Sequence, residues 1–184
     1  MEKTNIVDIT TTINDIPHLA TTLWFSGCNL DCAGCHNSRL EFFEKGLSLK
    51  VVTKILKERR KMTDWLVYLG GNPLDSIDVL LEVSTIAEDL GFNQFLYSGY
   101  TFDEFKNMFN SEIHSQLLMN FDYIKTGRFD ARFSKRNCKE DGVEFFFETL
   151  NQEVYKKEEK KQEWKKYYNF DFSVNRICGN LNLI

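Results

Sequence analysis

At 184 residues the chain has the length of one domain and can bury about 70% of its unfolded surface, so cross-links are not needed to explain folding. Hydrophobic residues at 42% and charged residues at 27%, with 10 Gly and 2 Pro, exclude a disordered or fibrous chain. A net charge of −4 supplies no field for nucleic acid or an anionic membrane, and no apolar run approaches the roughly 18 residues of a spanning helix. The opening residues, Met1 to Asn5, lack the basic-then-apolar pattern of a signal peptide, so the expectation is a cytoplasmic protein that binds neither nucleic acid nor membrane.

In chain order, Thr21, Thr22, Leu23, Trp24, Phe25 and Ser26 predict a strand that stops at Gly27 and delivers Cys28 at its C-terminal end. Ser48 is a candidate N-cap for a helix in which Leu49, Val52, Ile55 and Leu56 repeat at helical spacing, ending in the basic stretch 57–61. Residues 64–69 predict a second strand closed by Gly70 and Gly71. Asp75 or Ser76 can cap a second helix with Ile77, Leu80, Val83, Ile86, Ala87 and Leu90 on one face and Gly91 as its stop. A third strand, 94–97, precedes Ser98, Gly99 and Tyr100; one or two short helices fill 102–119, and 121–125 is a fourth strand before Gly127. Residues 143–148 predict a fifth strand. The Lys-rich run 156–166, with Trp164 inside it, reads as a solvated helix or tail. The aromatic residues, Phe above all, supply core mass.

Strands alternating with helices at this spacing imply right-handed crossovers and a parallel sheet, hence an α/β fold. In such folds the ligand site lies at the C-terminal ends of the strands, and the cysteines, Gly70 and Gly71, Ser98 and Gly99, and Gly127 all fall there. Their glycines predict backbone in close approach to a ligand.

Three of the five cysteines, Cys28, Cys32 and Cys35, fall within eight residues, while Cys138 and Cys178 stand alone. Clustered cysteines without a secretory signal indicate metal or redox chemistry rather than a disulfide framework. Three chemistries fit the C-x3-C-x2-C spacing. A structural zinc site needs a fourth ligand, which Cys138 or Cys178 could supply. A redox dithiol would use Cys32 and Cys35 and leave Cys28 without a role. A four-iron cluster on three thiolates leaves one iron open, as a catalytic metal requires.

Gly27, Cys28, Cys32, Gly34, Cys35, His36 and Asn37 resemble the signature of the radical S-adenosylmethionine superfamily, in its anaerobic (class III) ribonucleoside-triphosphate reductase activase branch. Gly34 stands where most of the superfamily has an aromatic residue, in agreement with that branch. The likeness continues through Leu23 to Gly27, Leu69 to Leu74, Tyr97 to Tyr100, Asp122 to Lys125 with Gly127, and Thr149 to Gln152.

The resemblance implies an incomplete, open (β/α) barrel of five or six mostly parallel strands; the charged run divides the chain into a core over 1–154 and a charged extension, in the same domain or a tail, over 155–184. It implies a [4Fe-4S] cluster on Cys28, Cys32 and Cys35, whose open iron takes the amino and carboxylate groups of S-adenosylmethionine. Reductive cleavage would yield a 5′-deoxyadenosyl radical that abstracts hydrogen from a glycine of the reductase; the rival readings are another radical enzyme, either a formate-lyase-type activase or a small-molecule enzyme, and a non-catalytic zinc-binding interaction module. Gly34, Cys35, His36, Asn37, Gly70, Gly71, Asn72 and Ser98 would lie against the cofactor. The partners implied are the large subunit of the reductase, docked by residues such as Tyr100, Arg128 and Phe129, and a low-potential electron donor such as flavodoxin. Asn72 departs from the acid usual in the family: either Asn72 and Pro73 form an ordinary turn, or Asn72 is a neutral acceptor that should hold the amino group about 1 kcal/mol less well, in which case Asn72→Asp should keep or tighten binding. The family's Gly-Pro-Gly-like approach is replaced by Asp15, Ile16, Pro17 and His18. His18 and His114 are expected to be structural; Lys125 could reach the cofactor carboxylate, although a strand-end lysine is more often solvated; and Asn151 and Gln152 are either contacts to cofactor or partner or a strand-end cap.

Overall fold

Leu66, Val67, Tyr68 and Leu69 are all buried, and alternate members face opposite sides of their strand. A strand with two apolar faces must sit inside a sheet covered on both sides. The computed structural model describes residues 3–16, 18–133, 149, 151–158, 161–171 and 176–178. Their strands are β1 (Ile6–Thr12), β2 (Ala20–Phe25), β3 (Trp65–Gly70), β4 (Asn93–Tyr97), β5 (Tyr123–Thr126), β6 (Glu153–Glu158), β7 (Glu163–Asp171) and β8 (Arg176–Cys178). The sheet takes them in sequence order, β1 to β8.

The centre, β2-β3-β4-β5, is parallel, with Phe25 opposite Gly70 and Leu96 opposite Ile124. The flanks are antiparallel: β1 on β2, then β6 on β5, β7 on β6 and β8 on β7. The fold is therefore α/β with a mixed sheet, and the expectation of mostly parallel strands holds only for its centre. Four parallel strands need three crossovers, and the helical segments supply them.

Four helices make those crossovers: α1 (Leu49–Arg59), α2 (Ile77–Asp89), α3 (Phe102–Met108) and α4 (Ser111–Asn120). Val52 and Leu56 of α1, Leu80, Val83 and Ala87 of α2, Phe105 and Leu117 pack on Leu23, Phe25, Leu66, Tyr68, Leu96 and Ile124. The opposite face carries Ile16, Ala20, Val67, Leu69, Phe95, Tyr123 and Val154, with Phe95 stacked on Tyr123 at 5.6 Å. Ser48 and Ser76 stand at the N-caps of α1 and α2 without a side-chain cap bond. Gly91 takes φ +77° just past the C-cap Leu90, as expected of the stop after α2.

The Lys-rich run is neither helix nor tail: among its described residues, 156–158 end β6 and 163–166 open β7, paired antiparallel. Val154 and Tyr155 are buried on opposite faces, Tyr155 stacks on Phe102 at 3.6 Å, and Trp164 meets Phe105 edge-on. Burial of these few apolar side chains decides the conformation, while the lysines cover an antiparallel flank of the sheet. The 154/155 boundary expected from charge falls inside β6. β1 was not expected from the sequence. The strand expected over 143–148 lies outside the described residues. Among the described residues no helix is long and apolar enough to cross a membrane.

Candidate functional site

β2 and β3 run side by side to Phe25 and Gly70, and the cysteine loop leaves from β2 through Gly27, at φ +94°. Gly27 N–H donates to the Leu40 carbonyl at 2.8 Å and Cys28 N–H to the Glu41 carbonyl at 2.9 Å, so the loop is tied at both ends. Inside it Cys35 N–H donates to the Cys32 carbonyl at 3.1 Å. All three thiols are free and partly exposed.

They line one cavity of about 330 Å³ together with His36, Asn37, Gly70, Gly71, Asn72 and Ser98. A second cavity of about 380 Å³, inside the loop, is bounded by the same three cysteines, Gly34, Gly70 and Gly71. The expected residues are thus brought together at the strand ends, except that Gly34 borders the second cavity and not the first. At Gly70 and Gly71 the room left by the missing side chain is filled by protein: a Cβ would lie 2.4 Å from the Phe25 carbonyl oxygen and 2.3 Å from that of Gly27. Those glycines are required for close packing of β3 against β2 and the cysteine loop, and their backbone also lines the cavity.

Burial pushes the Cys28 and Cys32 thiols up, and each is pushed further by neighbouring cysteines. The Leu30 amide at 3.4 Å offsets part of this at Cys28, and the Phe129 amide and Arg128 charge do so at Cys32. Thiols so placed bind a metal centre by giving up protons, so metal loading is expected to weaken as pH falls. Three free thiols around a shared cavity form the soft donor set that iron-sulfur centres use. Among the described residues no group of three or more His, Cys, Asp and Glu side chains is gathered so as to hold a single metal ion.

Asp75, expected only as a helix cap, is instead a hub. Its carboxylate accepts from Asn29 N–H at 2.8 Å, Asn72 Nδ2 at 3.0 Å and the Tyr100 hydroxyl at 2.7 Å, joining the cysteine loop to the turns after β3 and β4. Burial and Asp75 together push the Tyr100 hydroxyl up, so it stays a donor. Asn72 is 1% exposed, and its Oδ1 has no hydrogen-bond partner among the described residues.

Lys125 is 2% exposed in the cavity wall, its Nζ 4.5 Å from the Tyr97 ring centroid, which overturns the expectation of a solvated side chain. It shares the inner face of β5 with Tyr123, as two-residue spacing dictates. Asn14, Asp15, Trp24 and Tyr97 also line the cavity and were missed. The Asp15 carboxylate accepts from Thr22 Oγ1 at 2.6 Å and its carbonyl from the Tyr97 hydroxyl, which fixes the segment before β2 over the strand ends. Asn151 and Gln152 clamp the strap after β5, donating to the Arg128 and Gly127 carbonyls at 2.9 and 3.0 Å, and Gln152 reaches the cavity. His36 meets Phe129 edge-on at 5.5 Å. His18 stacks on Trp65 and His114 lies against Phe105 with Nε2 3.0 Å from the Lys106 carbonyl, both structural roles as expected.

Arg128 makes a two-pronged ion pair with Glu104, at 2.7 and 2.9 Å. The guanidinium, with the Thr101 amide, holds the Glu104 carboxyl down at about 2. A depressed carboxyl contributes stability above its unfolded value and loses it as pH falls toward 2. Because both side chains are over two-fifths exposed, the contribution is discounted to about 1 kcal/mol. Between pH 5 and 2 the thermal midpoint of Glu104→Gln should therefore fall less than that of the unchanged protein.

Residues 18–146 match the family described as the 4Fe-4S single cluster domain, and the chain belongs to that family. It is also 30% identical, over 146 residues, to a protein of Methanocaldococcus jannaschii named as a glycyl-radical enzyme activating enzyme. That match covers 76% of this chain and 56% of the relative, so the chain spans little more than half the length of the protein it matches.

Proposed function

We propose that the protein is a radical S-adenosylmethionine activating enzyme that installs a glycyl radical on a partner enzyme, the large subunit of anaerobic ribonucleoside-triphosphate reductase. The observation that carries this reading is the sharing of one cavity by three free thiols and the ends of the central parallel strands. The name of the archaeal relative and the iron-sulfur family support it. Cys28, Cys32 and Cys35 would hold a [4Fe-4S] cluster. Reduced by a donor such as flavodoxin, a cluster held there would supply the electron for cleavage of a carbon-sulfur bond of S-adenosylmethionine.

The remaining wall suits such a ligand in kind. Asn72 has an acceptor to spare for an amino group and Lys125 carries a buried cation for a carboxylate, while Trp24, Leu69 and Tyr97 give apolar surface. Ser98, His36 and Asn37 complete the polar rim. These side chains bind and orient the ligand and shield the reaction from water.

The test is to mix reduced, cluster-loaded protein with S-adenosylmethionine and a class III reductase. A glycyl radical signal on the reductase in electron spin resonance is expected. Formation of 5′-deoxyadenosine with no such signal, while a different glycyl radical protein does acquire it, would move the assignment to that other partner. Tight stoichiometric zinc with no iron would overturn the radical chemistry.

A further inference from the structure

A neutral amide is a weak partner for an ammonium group, and it can present the wrong end. Asn72 avoids the second problem because its Nδ2 is engaged, 3.0 Å from Asp75 Oδ2. A carboxylate only accepts, so Asp75 can take Nδ2 and not Oδ1. The amide is thereby oriented with its oxygen left over, buried and without a partner among the described residues, in a side chain that lines the cavity. Asp75 is itself held by the Asn29 amide and the Tyr100 hydroxyl, so its position does not depend on Asn72.

We propose that Asp75 is a positioning residue that makes Asn72 an acceptor for a ligand ammonium group, supplying from the nitrogen side of the amide the negative charge that Asn72 lacks. This rests on the S-adenosylmethionine reading above. The amide dipole, polarised by the carboxylate on its nitrogen side, presents a strengthened acceptor on its oxygen side. The arrangement also reverses the expected effect of an acid at position 72. Asn72→Asp would set two carboxylate oxygens about 3 Å apart, as the present contact distance requires, and like charges so close cannot both stay ionised without cost. That variant should bind the ligand less well, not better.

The test measures binding of S-adenosylmethionine, and of its analogue lacking the amino group, to anaerobic cluster-loaded protein, with iron content and thermal midpoint recorded for each variant. Asp75→Asn can keep the contacts of Asp75 while removing its charge. It should bind S-adenosylmethionine about tenfold more weakly, as loss of charge assistance implies, and should bind the analogue as the unchanged protein does. Asn72→Asp should likewise lose about tenfold, and the double variant Asn72→Asp with Asp75→Asn should recover most of the loss. Equal weakening for both ligands in Asp75→Asn would mean a merely structural role and would overturn the proposal. So would unchanged affinity in that variant, or a double variant that fails to load iron or binds no tighter than Asn72→Asp. If the unchanged, iron-loaded protein binds no S-adenosylmethionine, the functional reading falls as well; if it binds and Asp75→Asn binds equally, only the role of Asp75 falls.

Discussion

Replacing any one of Cys28, Cys32 and Cys35 by Ala is expected to abolish the iron-sulfur cluster, measured as iron per chain and visible absorbance after anaerobic reconstitution. The unchanged protein should hold about four irons, and each triple-ligand site that loses a thiolate should hold none stably. Cys138→Ala and Cys178→Ala should load as well as the unchanged protein, because the three loop thiols, which border both cavities, suffice for a cluster with one open iron. Retention of full iron content by any of the three loop variants would show that its thiol is not a ligand. Dependence of binding on Cys138 or Cys178, with zinc in place of iron, would instead identify a four-thiolate zinc site.

Gly71→Ala should be nearly as damaging, by a different route. The added Cβ would sit 2.3 Å from the Gly27 carbonyl oxygen and 2.8 Å from that of Leu40. Neither carbonyl is free to retreat, since Gly27 oxygen accepts from Asn72 N–H at 2.8 Å and Leu40 oxygen from Gly27 N–H at 2.8 Å. The methyl must push the cysteine loop away from β3, at a cost of about 3 kcal/mol. For a chain of this size the thermal midpoint should drop by roughly 6 to 12 °C, with poor cluster yield at temperatures where the protein is still folded. Gly34→Ala is the control. There a Cβ meets nothing within 4 Å, and only the φ of +73° opposes it, so about 1 kcal/mol is expected. If the two variants melt alike, the contact between β3 and the loop is not what makes Gly71 necessary.

For the amide-to-acid change at position 72, the sequence and the tertiary surroundings lead to opposite expected signs. From the sequence, Asn72 is a weakened version of an acid, and restoring the acid should help. In three dimensions Asp75 already occupies the far side of Asn72, 3.0 Å from its nitrogen, and a second acid has nowhere to put its charge. Lys125 illustrates the same limit. A lysine at a strand end is usually solvated, but here the inner face of β5 is covered, and the side chain is enclosed with Tyr97 in the cavity wall.

The sequence by itself determined what depends on spacing along the chain. The triad's three thiols lie within one short loop, the helical periods of α1 and α2 show in their apolar residues, and Gly91 marks a helix end because the turn after it needs φ above zero. Those features arise from near neighbours, whose geometry the backbone itself dictates. Tertiary structure decided what depends on which distant surfaces meet. The described residues of the charged run 156–166 became paired strands because Tyr155 and Trp164 found Phe102 and Phe105 to pack on. β1 formed because β2 offered it an open edge, and Asp75 became a hub because the cysteine loop and the turn after β4 both close on it. No local pattern encodes such contacts, since burial against remote side chains outweighs propensity and residue charge in setting the final conformation.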